Sequence, residues 1–110
     1  MKKGNRILSH EEFLEVEKSP TSLRTADFLL FKRRSSLDKL RVGISVSKKN
    51  GNAVRRNLIK RQVRCMLDAF LNIEEAADLV VIVRKNYDPE KFHENKEELG
   101  KALAELGEKL

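Results

Sequence analysis

The sequence predicts an α/β or α+β fold: a two-layer sandwich with one small mixed sheet and helices packed on it, in the order α-β-β(-β)-α-β-α. Three observations carry this expectation. Short apolar runs of strand length occur at Phe28, Leu29, Leu30 and Phe31 and again at Leu79, Val80, Val81, Ile82 and Val83. Residues 41–47 alternate between apolar and small or polar side chains, and two long stretches, 52–71 and 89–110, carry helical periodicity. A length of 110 residues suits a single domain, 1–110, with one core.

Each element has a local reason. Ser9 followed by Glu12 is a capping-box pattern, in which each side chain satisfies a free amide at the helix start. Phe13, Leu14 and Val16 follow, so a short helix is expected over 10–18, ending before Pro20. The apolar run at 28–31 is a strand ending in charge, and residues 21–33 hold either one bent strand or two. Residues 35–39 read as a hairpin loop. In the alternating segment Val42, Ile44 and Val46 face a core, while Arg41, Gly43, Ser45 and Ser47 form a small polar face that something can approach closely. Lys48, Lys49, Asn50, Gly51 and Asn52 make a turn, with Asn52 as N-cap of the next helix. Residues 79–83 form a buried strand. Asp88 at the cap and Pro89 in the first turn open the last helix. There Phe92, Leu99, Leu103, Leu106 and Leu110 lie near one stripe, weakened by Gly100 and Gly107.

Charge is unevenly distributed. The net charge is +6, yet residues 32–64 hold twelve Lys and Arg against Asp38 alone, while residues 1–31 balance and residues 65–110 are acidic. Such concentration of one sign marks a polyanion-binding surface, because each phosphate neutralised releases counterions. No apolar run approaches the roughly 20 residues that cross a bilayer, so no membrane partner is expected. The first residues lack the apolar core of a secretory signal. One cysteine, Cys65, cannot close an internal disulfide, and with the distant His10 and His93 it cannot assemble a structural zinc site. The expectation is a reduced, cytoplasmic, metal-poor protein.

The central helix carries the sharpest signal. Ile59, Val63, Met66, Leu67 and Phe70 share one face, while Asn57, Lys60, Arg61 and Arg64 share the opposite one with Asp68 as its only acid. A solvated helix mixes signs through i,i+4 pairs, whereas these donors converge unquenched, which favours phosphate binding. Arg55 and Arg56 flank the face in the first turn, where free backbone amides also attract anions. RNA is favoured over duplex DNA, since nothing reads as a helix-turn-helix, and an open Gly/Ser sheet face near Phe13 and Phe31 suits a single strand stacking on aromatics.

Enzymatic alternatives lack their residues. A metal nuclease needs inward-facing carboxylates, and Glu11 with Glu12, Glu74 with Glu75 and Glu97 with Glu98 read as surface acids outside the basic block. Cys65, off the core stripe with no nearby histidine, reads as inert packing. Residues 43–48 lack the second glycine of a phosphate loop. A general or ribosomal RNA-binding protein is an alternative that composition alone does not separate.

Three runs decide further: Arg41, Val42, Gly43, Ile44, Ser45, Val46, Ser47, Lys48, Lys49; then Gly51, Asn52, Ala53, Val54; then Arg56, Asn57, Leu58, Ile59, Lys60, Arg61 with Arg64. Together they resemble the signature of the bacterial ribonuclease P protein subunit, and the resemblance extends from Lys2, Lys3, Asn5 and Arg6 to Arg84. It implies an accessory subunit of a ribozyme, in which a catalytic RNA removes the 5′ leader of precursor tRNA using Mg2+ held mainly by the RNA. It further implies that Arg55, Arg56, Asn57, Lys60, Arg61 and Arg64 contact the catalytic RNA and that the protein alone is inactive. A cleft between the central helix and the sheet would bind the leader, with Phe13 and Phe31 at aromatic positions and Lys48 and Lys49 at its edge. A left-handed βαβ crossover is also implied. Two positions depart from the pattern: Leu58 stands where the family usually has Arg, and Glu17 where some relatives have an aromatic.

Overall fold

The computed structural model describes residues 6–7, 9–35, 40–70 and 76–109. Among them the elements are β1 (Arg6–Ile7), α1 (His10–Val16), β2 (Ser22–Arg24), β3 (Phe28–Arg34), β4 (Arg41–Val46), α2 (Ala53–Phe70), β5 (Ala77–Val83) and α3 (Phe92–Lys109), with 3-10 turns at Lys48–Asn50 and Pro89–Lys91. The α+β architecture is the one expected, with β2 as the second of the two strands allowed for residues 21–33 and β1 added.

Caps form where the residues predict them. Ser9 Oγ accepts from the Glu12 amide at 3.2 Å, and the Glu12 carboxylate accepts from the Ser9 amide at 3.0 Å. Asn52 Oδ1 accepts from the Arg55 amide at 2.9 Å. Asp88 accepts from the Glu90 amide at 3.0 Å, although the chain makes the 3-10 turn Pro89–Lys91 before α3 begins. α1 ends at Val16, earlier than expected, because Lys18 and Ser19 donate to Glu15 and Val16 in tighter i→i+3 bonds as the chain turns into Pro20. Residues 21–33 resolve as two strands joined at Thr25–Asp27, where the Phe28 amide donates to Thr25 Oγ1 at 3.0 Å.

Strand order corrects one expectation. The sheet runs β1-β4-β5-β3-β2, with β1/β4 and β4/β5 parallel and β3/β5 and β2/β3 antiparallel. β3 and β4 are therefore not a hairpin: β5 lies between them, and the connection at 36–39 lies outside the described residues. The cause is non-local. β5 is apolar on both faces, so it takes the centre of the sheet, where both faces are covered.

The faces are covered unequally. Phe28, Leu30, Val42, Val46, Leu79, Val81 and Val83 form the main core with Ile59, Val63, Met66 and Leu67 of α2 and Leu99, Ala102 and Leu106 of α3. On the other face, among the described residues, α1 is the helix that packs, placing Val16 and Phe13 over Val80, Phe31 and Ile82. Leu110, expected on the α3 stripe, lies outside the described residues. Tyr87, which periodicity did not single out, is fully buried edge-on to Phe28, with ring centroids 5.7 Å apart. Its hydroxyl donates to Gln62 Oε1 at 2.8 Å. Among the described residues no helix is long and apolar enough to cross a membrane.

Candidate nucleic-acid interface

α2 is built with two unlike sides. Ile59, Val63, Met66 and Leu67 are buried, and Arg55, Asn57, Arg61 and Arg64 are exposed, with Arg56 and Lys60 half-exposed. The helix follows a turn that only glycine accommodates: Gly51 has φ +119°, and a Cβ there would meet Arg55 Cδ at 2.8 Å. Arg56 Nε donates to the Gly51 carbonyl at 3.2 Å, so this guanidinium also braces the entry to the helix. Lys48 and Lys49 are exposed on the turn just before it. Two side chains depart from their expected places. Phe70 is 42% exposed and lies over Gly100 of α3, near the Lys96 ammonium, rather than within the core. Cys65 is exposed rather than packed.

The opposite face of the sheet carries a groove of ≈ 380 Å³ lined by His10, Phe13, Leu14 and Glu17 of the α1 segment and Ile44 and Ser45 of β4. Gly43 and Ser45 leave this side of β4 low, as the alternation predicts. The groove that holds Phe13 thus lies between α1 and the sheet, not between α2 and the sheet, because α2 is packed on the other face. Phe31 is half-buried in the small cluster beneath α1 and does not line the groove. Lys48 and Lys49 follow Ser45 closely in sequence, continuing the β4 wall toward α2.

An ion-pair network fixes α1 over this face. Asp78, whose side chain is 1% exposed, accepts from Arg41 Nε and Nη2, each at 2.8 Å, and from Arg33 Nε at 2.9 Å. Arg41 also pairs with Glu12, and Arg33 reaches Glu15 at 3.4 Å. Burial pushes the Asp78 carboxyl up, but the hydrogen bonds from Arg41 and Arg33 more than offset this and hold it below its ordinary range. The arginines are held more firmly protonated, chiefly by their hydrogen bonds to Asp78. Two members of the basic block are therefore committed inside the fold, and Glu12 is not the surface acid it was expected to be. Sequence could not reveal this, because the partners come from three strands and a helix.

Glu98 also departs from expectation. It accepts from Thr25 Oγ1 at 2.5 Å and from the Asp27 amide at 2.9 Å, clipping α3 to the β2–β3 turn. Burial and the hydrogen bond to Glu98 raise the Asp27 carboxyl to about 6. Among the described residues no group of three or more His, Cys, Asp or Glu is placed to hold a metal ion. Glu12, Glu15 and Asp78 each face an arginine, an arrangement that does not fit Mg2+.

The family model Ribonuclease P matches residues 1–107. The ribonuclease P protein component of Bacillus pumilus (strain SAFR-032) is 41% identical over 101 residues, covering 90% of this chain and 85% of the relative. An RNase P protein mutant from Staphylococcus aureus superposes with a TM-score of 0.75 at 32% identity, over 90% of this chain and 85% of that one. The RNase P protein from Thermotoga maritima gives 0.70 at 30% identity, over 96% of both. With its fold and nearly its whole length matched, the chain belongs to the bacterial ribonuclease P protein family.

Proposed function

We propose that this chain assists removal of the 5′ leader from precursor tRNA by binding two RNAs at once: the catalytic RNA of ribonuclease P on α2, and the single-stranded leader in the α1–β4 groove. The observation that carries this reading is the disposition of the two surfaces. Arg55, Asn57, Arg61 and Arg64 project into solvent from a helix whose other side is core, and the groove lies on the opposite face of the sheet. Phe13 offers a stacking surface in the groove, and Lys48 and Lys49 supply charge for the backbone leaving it. Cleavage chemistry and its Mg2+ belong to the RNA in this reading, and the cytoplasm is where the complex works.

Reconstitution tests it. RNA-free protein should cleave nothing, and adding the catalytic RNA should give leader removal that is tighter in precursor tRNA binding than the RNA alone. Arg61→Ala or Arg64→Ala should weaken assembly with the catalytic RNA by about 1–3 kcal/mol and flatten its salt dependence by about one unit of slope. Lys101→Ala, at an exposed position of α3, should change neither. Equal effects at both helices would overturn the assignment of α2. Because Cys65 is the chain's single cysteine and lies exposed on α2, its alkylation should slow on assembly with the catalytic RNA.

A further inference from the structure

One groove residue has chemistry unlike its neighbours. Glu17 is half-buried at the end of α1 and lines the groove with Phe13, Leu14 and Ile44. Its carboxylate makes no hydrogen bond or ion pair among the described residues, whereas Glu12 and Glu15 of the same helix are both paired with arginines. A carboxylate in this position repels phosphate, so it is unsuited to the backbone of a bound strand. Two acceptor oxygens side by side, next to an aromatic ring, suit the edge of a nucleobase.

The base edges differ in what they offer such a group. Guanine presents two adjacent donors, N1–H and N2–H2, which match both oxygens. Adenine and cytosine each present one amino group beside a ring-nitrogen acceptor, and uracil presents one N–H between two carbonyls. Only guanine avoids setting an acceptor against the second oxygen.

Resting on the reading of the groove as the leader site, we propose that Glu17 is a specificity-determining residue that selects guanine at one position of the single-stranded leader, with Phe13 beside it as the stacking surface. The strand then runs with its bases toward α1 and its phosphates toward Ser45, Lys48 and Lys49.

The test uses the chain reconstituted with its catalytic RNA and a set of precursor tRNAs whose uridine-only leaders carry a single guanosine, moved one position at a time. One position should raise affinity about tenfold, within the range for a bidentate side chain–base pair. Adenosine or cytidine there should not. Glu17→Gln, which offers one donor and one acceptor, should abolish the guanosine preference and favour adenosine or cytidine, with thermal unfolding unchanged. A flat guanosine scan in the unaltered complex, or a preference that survives Glu17→Gln, overturns the proposal while the leader site itself stands, because precursor tRNA still outbinds mature tRNA. If the protein confers no such advantage on precursor tRNA, the groove reading fails and the proposal falls with it.

Discussion

Asp78 shows how much one side chain decides. Removing its charge leaves two guanidiniums facing each other in the fold, so Asp78→Asn should cost about 3–5 kcal/mol in urea denaturation. Glu15→Gln, at the exposed rim of the same network, should stay within about 0.5 kcal/mol. A depressed carboxyl stabilises above its unfolded pKa and loses that contribution as pH falls, so the Asp78 effect should fade only in acid below its ordinary value of 3.8. Asp27 has the opposite sign. Raised to about 6, it stabilises fully below its ordinary 3.8 and loses the contribution as pH rises through about 6. Glu98, where burial is outweighed by hydrogen bonds from Asp27 and Thr25, is held low and contributes as pH rises above its ordinary 4.5. The clip between α3 and the β2–β3 turn is thus firmest with one proton on the pair. Asp27→Asn, mimicking the protonated acid, should stabilise by roughly 1 kcal/mol at about pH 8 and by almost nothing at about pH 3. An equal effect at both would refute the shared proton. The two phenylalanines separate as well. Phe13→Ala should cost about 1–3 kcal/mol in binding precursor tRNA with mature tRNA unaffected. Phe31→Ala should destabilise folding by about 2–3 kcal/mol, less than a fully buried ring, and lower binding of both RNAs together.

Among the elements, α3 contains a natural comparison between two glycines. A Cβ at Gly107 meets nothing within 4 Å, whereas one at Gly100 would lie 2.8 Å from Phe70 Cζ. Gly107→Ala should therefore raise stability by about 0.5–1 kcal/mol, the usual helical gain, and Gly100→Ala should return less because the Phe70 ring must move. Calorimetric melting of the two variants decides this. Periodicity flagged both glycines as weak points and could not tell them apart, since what distinguishes them is a side chain on another helix. The same division runs through the fold. The capping box of α1, the Asn52 cap of α2 and the alternation of β4 were legible because each is satisfied within a few residues of itself. The place of β5 between β3 and β4, the side of the sheet that α1 covers and the pairing of Arg41 with Asp78 join distant segments, and no local pattern encodes them. For the site, the α2 face could be read because one helix presents it, whereas the groove has two walls from separate elements and was expected on the wrong helix.

At the scale of the molecule, the two candidate RNA surfaces lie on opposite faces of a single sheet, and the turn that carries Lys48 and Lys49 connects β4 to α2 between them. Occupying one should leave the other open. An excess of single-stranded leader oligonucleotide should displace precursor tRNA from the groove without releasing the catalytic RNA, and co-sedimentation would show it; joint release would mean one shared surface. The strand order has a further consequence, for how the chain acquires its shape. β5 pairs with both β3 and β4 at the middle of the sheet, yet it is the last strand in sequence. On a growing chain β3 and β4 have no central partner until residue 83 emerges, so the sheet cannot close strand by strand and must wait for long-range pairing. The strongly basic stretch is thus synthesised well before the strand that gives it a fixed geometry. A fragment ending at residue 76 keeps all of that charge and should show no cooperative unfolding transition.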